Sequence, residues 1–301
     1  MSNAINLTIC LSNPELCEPI IKENAPTLKP VFTPASDFAG NIKKMINELA
    51  FDICEMPLGT VVQAISSGMP IVVLPVVMWR RTPHQYLLAQ GGSRGTEVGL
   101  DWLIGQAVGV RSYAQTTGIW VRTVMQDQFG LTADQMQWVT TSPENFADCP
   151  APLFVKRVSG DSDLIAMAED ARVRAVISTG ANPVLSSLAP AIEDPIKSGR
   201  EWLASHSISP VNHVLVTSEM SFKKWSGAIW DFADSLRAHA LSSASAPAWA
   251  SGDALMGERP NSECFSFSNI AESAAFFVTH CLAQGVINKP VDVSKSMAKG
   301  R

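Results

Sequence analysis

Several features that would assign a function directly are missing from this sequence of 301 residues. The chain has no uninterrupted apolar run of about 18 residues, so we expect no transmembrane helix. It carries 23 basic and 28 acidic residues, a net charge of −5, which disfavours a general nucleic-acid surface. The phosphate-loop pattern GxxxxGKS/T and the metalloprotease pattern HExxH are absent. The sequence therefore predicts neither a membrane partner nor a nucleic-acid partner, and no P-loop enzyme.

The cysteines also lack the spacing of a known metal or redox motif. The six of them are scattered, with no CxxC pair and no standard zinc spacing. The first ten residues show no basic run followed by an apolar core, so we recognise no secretion signal and expect a cytoplasmic protein with reduced thiols. No cofactor is expected, while a divalent-metal site assembled from distant residues stays open. The sequence also leaves open whether the chain forms a homo-oligomer.

Strand-like and helix-like segments alternate along the chain, which is typical of α/β domains. The alternation occurs in two similar sets, and this length can bury the cores of two lobes. We also predict a turn at 91–95 and a loop of small residues over 242–257. The predicted strands are 5–11, 30–33, 51–57, 71–78, 105–110, 136–140, 175–179 and 213–217, and the predicted helices are 15–24, 37–49, 58–67, 119–129, 162–169, 222–241 and 270–284.

The segment 109–118 joins a predicted strand to a predicted helix through a cluster of hydroxyl and amide side chains. A helix N-terminus presents unpaired N–H groups and the positive end of a dipole, which favours an anion. Capping alone would explain one or two of the polar residues, and the cluster exceeds that need. We therefore predict an anion-binding segment formed by Ser112, Gln115, Thr116 and Thr117. Tyr113 could stack on an aromatic ligand, or it could be an ordinary packed tyrosine.

Five motifs occur in the order found in 4,5-dihydroxyphthalate decarboxylases, and the resemblance spans roughly residues 5–240. The motifs are the segments 51–58, 80–84, 109–118, 127–131 and 210–213. The chain thus resembles a family whose fold is that of type 2 periplasmic binding proteins. The resemblance implies two α/β lobes, residues 1–84 plus 214–301 and residues 85–213, each with a mostly parallel sheet flanked by helices, and a ligand cleft between the lobes.

The resemblance also implies an aromatic-acid decarboxylation, which needs a proton donor, a carboxylate anchor and a dry pocket. Histidine exchanges protons most readily near neutral pH. His84 is the first choice for the proton donor, with a surface or capping role as the alternative, and His213 is the second, with a structural role as the alternative. Glu55 ends a predicted strand, where it could orient a histidine or accept from a substrate hydroxyl, with a solvated strand-end carboxylate as the alternative. Neighbouring residues of an extended segment face opposite ways, so one of Arg80 and Arg81 is expected to bind the carboxylate, with Arg81 favoured.

Three functions follow as hypotheses. The first is a cofactor-independent decarboxylase acting on a small hydroxylated aromatic carboxylate, such as 4,5-dihydroxyphthalate or a related acid. The second is a solute-binding protein of the same fold, which would bind such an anion without changing it. The third is an enzyme resembling thiamine-pyrimidine synthases, which share the fold but use a cysteine-rich motif that we do not find in this sequence.

Overall fold

The computed structural model describes residues 5–91, 99–158, 163–178, 187–242 and 267–299. The strands are β1 (Ile5–Cys10), β2 (Leu28–Phe32), β3 (Ile53–Pro57), β4 (Ile71–Arg80), β5 (Leu87–Gln90), β6 (Ala107–Val110), β7 (Gln137–Thr140), β8 (Val155–Arg157), β9 (Ala175–Ile177), β10 (Leu188–Pro190) and β11 (Val211–Ser218). The α-helices are α1 (Pro14–Asn24), α2 (Phe38–Glu48), α3 (Leu58–Ser66), α4 (Thr116–Phe129), α5 (Leu164–Glu169), α6 (Pro195–Ser205), α7 (Glu219–Ser242) and α8 (Phe267–Ala283). Short 3₁₀ helices cover Ala35–Asp37, Pro83–Tyr86, Asp101–Leu103, Ala133–Gln135 and Val293–Ser296.

Parts of four sequence predictions lie outside the described residues. These parts are residues 92–95 of the predicted turn, 243–257 of the predicted loop, residue 162 of a predicted helix and residue 179 of a predicted strand. In the parts of the chain that are described, no helix is long and apolar enough to cross a membrane.

The chain divides into two units, each assembled from separate segments. Unit 1 contains Met1–Arg81, Val211–Ala275 and Val291–Arg301, and unit 2 contains Thr82–Pro210 and Phe276–Pro290. This division differs from the predicted lobes at three places. His84 lies in unit 2. His213 lies in unit 1, because β11 already begins at Val211. Residues 276–290 belong to unit 2.

The sheet of unit 1 has the strand order β2-β1-β3-β11-β4. β1 pairs in parallel with β2 and β3, whereas β11 runs antiparallel to β3 and to β4. The carboxyl ends of β1, β3 and β4 therefore lie at one edge, together with the beginning of β11. Open sheets of this kind bind ligands beyond the carboxyl ends of their strands, so this edge is the place to look for a site.

The sheet of unit 2 has the order β10-β5-β9-β6-β7-β8. β6 pairs in parallel with β7 and β9, and β5 runs antiparallel to β9 and β10. Its core includes Trp120 of α4, whose ring lies 4.9 Å from that of Phe277 on α8. The carboxyl-terminal part of α8 is therefore part of this core.

Both glycines that bound the segment 109–118 are needed for close packing. A Cβ on Gly109 would lie 2.9 Å from Leu164 Cδ2, and a Cβ on Gly118 would lie 3.2 Å from Val110 Cγ2. The first distance is too short for real atoms and the second is tight, so the glycines let α4 and α5 approach the sheet. Their presence is explained without a ligand.

Candidate functional site

Polar and aromatic side chains converge at the carboxyl edge of the unit 1 sheet. Ser12 follows β1, Glu55 lies in β3, and β4 ends with Trp79 and Arg80. His213 is the third residue of β11, which starts at the same edge. Its strand partner is Pro57, so His213 and Glu55 are diagonal neighbours on one face of the sheet. Residues that are far apart in the sequence thereby meet.

The Glu55 carboxylate is fully buried and accepts hydrogen bonds from two residues. The backbone N–H of Ser12 donates to Oε2 at 2.8 Å, and the Ser12 hydroxyl lies 2.9 Å from Oε1 and 2.8 Å from Oε2. Nδ1 of His213 lies 2.6 Å from Oε1. Burying a carboxylate is costly unless it is hydrogen-bonded, so these donors allow Glu55 to occupy the strand interior.

The His213 ring is held at one nitrogen and remains accessible elsewhere. Its side chain is 24% exposed, whereas Glu55 is 0% exposed. Phe38 stacks on the ring at 6.1 Å and Trp79 contacts it edge-on at 6.5 Å. The pairing of β11 with β4 shifts register on both sides of His213. Such bulges redirect side chains, and here they place the imidazole against Glu55.

Trp79 connects this pair to the predicted carboxylate anchor. Its Nε1–H donates to Ser12 Oγ at 3.0 Å, and the Arg81 guanidinium carbon lies 4.9 Å from the centre of its ring. Arg80 is completely buried, whereas Arg81 is only partly buried. Of the two predicted anchors, Arg81 is therefore the one with solvent-accessible surface.

His84 lies in the interior of unit 2. It is 1% exposed, its Nε2 lies 2.8 Å from Gln128 Oε1, and its ring contacts Trp202 edge-on. Nδ1 has no hydrogen-bond partner among the described residues. Burial lowers the pKa of His84 to about 4, so the neutral ring is the dominant form near neutral pH.

The predicted anion-binding segment contains an internal anion. The backbone N–H groups of Tyr113 and Ala114 donate to the two oxygens of Glu144 at 2.7 and 3.0 Å. α4 begins at Thr116, with Gln115 as the N-cap residue and no side-chain capping bond. Two of the donors that could bind a ligand are thus occupied by a carboxylate of the protein. Thr116 and Thr117 are buried in the first turn of α4, and Ser112 is partly buried.

Tyr113 is part of the core of unit 2. Its hydroxyl donates to the Gln284 carbonyl at 2.8 Å, and its ring contacts Trp138 and Phe154. The guanidinium of Arg122, also fully buried, lies 4.0 Å from the centre of the tyrosine ring. Desolvation lowers the pKa of Arg122 and raises that of Tyr113. This position fits the packed alternative for Tyr113.

A cavity of about 280 Å³ lies at the amino-terminal edge of the unit 2 sheet. Trp102, Arg172 and Arg174 line it, with the Arg174 guanidinium 5.5 Å from the Trp102 ring. None of the predicted site residues lines it, and its described lining has no histidine or carboxylate. Because proton transfer needs such a group, the Glu55–His213 pair is the better candidate for chemistry. Among the described residues, no group of three or more His, Cys, Asp or Glu side chains is arranged to hold a metal ion.

Comparison with known proteins identifies two relatives of the same kind. The chain is 25% identical over 183 residues to a 4,5-dihydroxyphthalate decarboxylase of Comamonas testosteroni, covering 55% of this chain and 53% of that protein. It is 24% identical over 221 residues to a 4,5-dihydroxyphthalate decarboxylase of Pseudomonas putida, covering 69% of this chain and 84% of that protein. The chain thus spans about half the length of the first relative. No protein-family model matches the chain.

Solved structures give the fold. The alkanesulfonate-binding protein SsuA from Xanthomonas axonopodis pv. citri, bound to MOPS, has a TM-score of 0.55 at 15% identity, over 100% of both chains. The desulfurization enzyme DSZB has a TM-score of 0.51 at 14% identity, over 97% of this chain and 96% of that chain. The predicted fold class, an α/β fold of the periplasmic-binding-protein kind, is confirmed.

The chain is similar in sequence, at 24–25% identity, to two 4,5-dihydroxyphthalate decarboxylases. The sequence predicted Glu55, His213 and Arg81 as site residues, and the structure places all three in unit 1. Sequence reasoning missed Ser12 and Trp79, which contact Glu55 and Arg81 respectively. Their only sequence signal was position, since each stands at or just after the end of an apolar strand.

Proposed function

We propose that the chain is a carboxy-lyase that removes a carboxylate from a hydroxylated aromatic acid, with His213 as the proton donor. The observation that carries the proposal is the pair formed by buried Glu55 and partly exposed His213 at the carboxyl edge of the sheet. A histidine hydrogen-bonded to a carboxylate is a common proton carrier near neutral pH. The relationship to decarboxylases supports this reaction class.

In the proposed step, protonated His213 delivers the proton on Nε2 to the ring carbon that carries the carboxylate. A ring hydroxyl ortho or para to that carbon supplies electron density. The bond to the carboxylate then breaks, its electron pair returns to the ring and CO2 leaves. The imidazole regains a proton from water. Glu55 stabilises the protonated imidazole by a charge-assisted hydrogen bond, and Arg81 holds a carboxylate of the substrate.

His213 is preferred to His84 for this role because of their surroundings. A proton donor must be protonated near the working pH and must reach the substrate. His84 is 1% exposed and burial lowers its pKa to about 4. His213 is 24% exposed and already faces a carboxylate. These differences support a catalytic role for His213 and a structural one for His84.

The test is CO2 release from a panel of hydroxylated benzoates and phthalates by the wild type, His213→Gln and His84→Gln. We expect His213→Gln to lose about 10² to 10⁴ of the turnover while still binding the acid. His84→Gln and the exposed control His239→Gln should stay within a few fold of the wild type. Turnover that survives dialysis against a chelator would agree with a reaction that needs no metal. Absence of CO2 release with every acid would refute the proposal.

A solute-binding protein is the second candidate, because binding proteins share this fold. In that case an aromatic acid would bind and be recovered unchanged after long incubation. Calorimetry combined with chromatography of the recovered ligand distinguishes the two functions. Binding that weakens in Arg81→Ala without any product would favour the transport role.

A further inference from the structure

The hydrogen bonds that link Trp79, Ser12, Glu55 and His213, here called the hydrogen-bond chain, have a fixed direction. An indole N–H can only donate, so Ser12 Oγ accepts from Trp79 Nε1 at 3.0 Å. The Asn13 amide nitrogen, 3.5 Å from the same oxygen, is a second donor. A hydroxyl has a single hydrogen, and the acceptors next to it are the Glu55 oxygens at 2.8 and 2.9 Å. The hydroxyl therefore donates to Glu55.

The Glu55 carboxylate determines which nitrogen of His213 carries hydrogen. Glu55 accepts from the Ser12 hydroxyl and from the Ser12 backbone N–H. A lone pair on Nδ1, only 2.6 Å from Oε1, would face a carboxylate oxygen that is also an acceptor. Nδ1 must therefore be the donor. In neutral imidazole the other nitrogen is then unprotonated, so Nε2 is the atom that gains and loses the proton.

We propose that Ser12 and Trp79 are positioning residues: their hydrogen bonds hold the Glu55 carboxylate against Nδ1 of His213, which keeps hydrogen on Nδ1 and leaves Nε2 to exchange protons with the ligand. The catalytic consequence rests on the proposed decarboxylase function, whereas the tautomer does not. The same Trp79 ring carries the Arg81 guanidinium at 4.9 Å. One side chain thus positions both the proton carrier and the carboxylate anchor.

The tautomer is measured directly with ¹⁵N-labelled histidine in long-range ¹H–¹⁵N correlation spectra, at a pH where His213 is neutral. The wild type should show a protonated Nδ1 and an unprotonated Nε2. Trp79→Phe removes the N–H but keeps an aromatic ring beside His213 and Arg81, and Ser12→Ala removes the hydroxyl. In both variants the Glu55 carboxylate is held less firmly against Nδ1, so we expect a mixture of tautomers. Ser12→Thr should restore the wild-type spectrum, and Trp102→Phe in unit 2 is the matched control.

The spectra are recorded across a pH range because other charged groups lie on the elements around the ring. Those next to the ring or to its contact residues are Glu55 on β3, Arg81 after β4, and Asp37 immediately before Phe38. All three remain in the variants. A change in the ratio of tautomers between Trp79→Phe and the wild type at equal pH therefore reports the hydrogen-bond chain.

Turnover provides the second readout. Trp79→Phe, which loses one hydrogen bond, should lower kcat about fivefold to tenfold. Ser12→Ala, which loses the hydroxyl's bonds to Glu55 and Trp79, should lower it at least as much, and KM should stay within about twofold in both. Ser12→Thr should recover kcat. If both variants keep a single Nδ1–H tautomer and wild-type kcat, the inference is overturned. If the wild type releases no CO2, the proposed function fails, and the spectra alone decide the tautomer. Should Ser12→Ala not fold, Trp79→Phe decides with the same readouts.

Discussion

Two buried ionisable side chains of this protein, Glu55 and His84, differ in how fully their polar atoms are hydrogen-bonded. Glu55, with no exposed surface, is surrounded by hydrogen-bond donors from Ser12 and His213. His84 is equally deep, but one of its ring nitrogens has no partner among the described residues. The first arrangement satisfies a buried carboxylate, and the second keeps a histidine neutral. Two substitutions separate these effects.

Glu55→Gln should reduce turnover of the aromatic acid by about tenfold to a hundredfold, because a hydrogen bond to a charged group contributes roughly 1.5 to 3 kcal/mol. The amide is nearly the same size, so the unfolding free energy should change less than for Glu55→Ala. Steady-state kinetics and urea unfolding measure the two effects. A Gln variant as active as the wild type would remove Glu55 from the mechanism.

Because His84 is buried in its neutral form, we expect the protein to lose stability in acid. The pKa of His84 falls from 6.5 to about 4 on folding, so the unfolded chain binds the proton first as the pH drops. The contribution of neutral His84 to the unfolding free energy is complete above pH 6.5. Between pH 6.5 and 4 the unfolding free energy falls by roughly 3 kcal/mol. His84→Gln has no such titration, so its unfolding free energy should fall less over this window. Urea unfolding at several pH values tests this, and parallel pH curves for the two proteins would contradict it.

At the level of secondary-structure elements, the sequence predicted the alternation of strands and helices because apolar periodicity is a local property. The predicted ends of β4 and α4 were wrong, because contacts with distant segments decide where these elements begin and end. β4 extends to Arg80, beyond the predicted end at residue 78, because β11 pairs with it from Val211 onward. α4 starts at Thr116 rather than residue 119. Glu144 could not be anticipated, since its contact with the turn before α4 joins segments about 30 residues apart.

The turn before α4 should become an anion site when its internal carboxylate is removed. Glu144→Ala leaves the N–H groups of Tyr113 and Ala114 without their acceptor and should destabilise the protein by about 1 to 3 kcal/mol. Added acetate should then raise the melting temperature of the variant more than that of the wild type. Glu144→Gln, which keeps one acceptor oxygen, should respond less. Equal effects of acetate on all three proteins would argue against this role.

For the whole molecule, the resemblance indicated the fold and the type of relative, and both were confirmed. The segments that complete each unit were harder to predict. Residues 276–290 belong to unit 2 although they follow a long stretch assigned to unit 1. Their contribution depends on buried contacts such as that of Gln284, whose amide oxygen accepts from Arg122 Nε at 2.8 Å. No periodicity within α8 reveals which distant core it enters.

Because residues 276–290 complete unit 2, a substitution on α8 should destabilise that unit, although most of unit 2 comes from residues 82–210. Phe277 is fully buried and lies 4.9 Å from the Trp120 ring, whereas Phe267 on the same helix is 39% exposed. Phe277→Ala should lower the unfolding free energy by about 3 to 5 kcal/mol, the usual cost of truncating a buried phenylalanine. Phe267→Ala should cost far less, because little buried contact is lost. Urea unfolding followed by tryptophan fluorescence measures both, and similar losses in the two variants would show that α8 does not complete the core of unit 2.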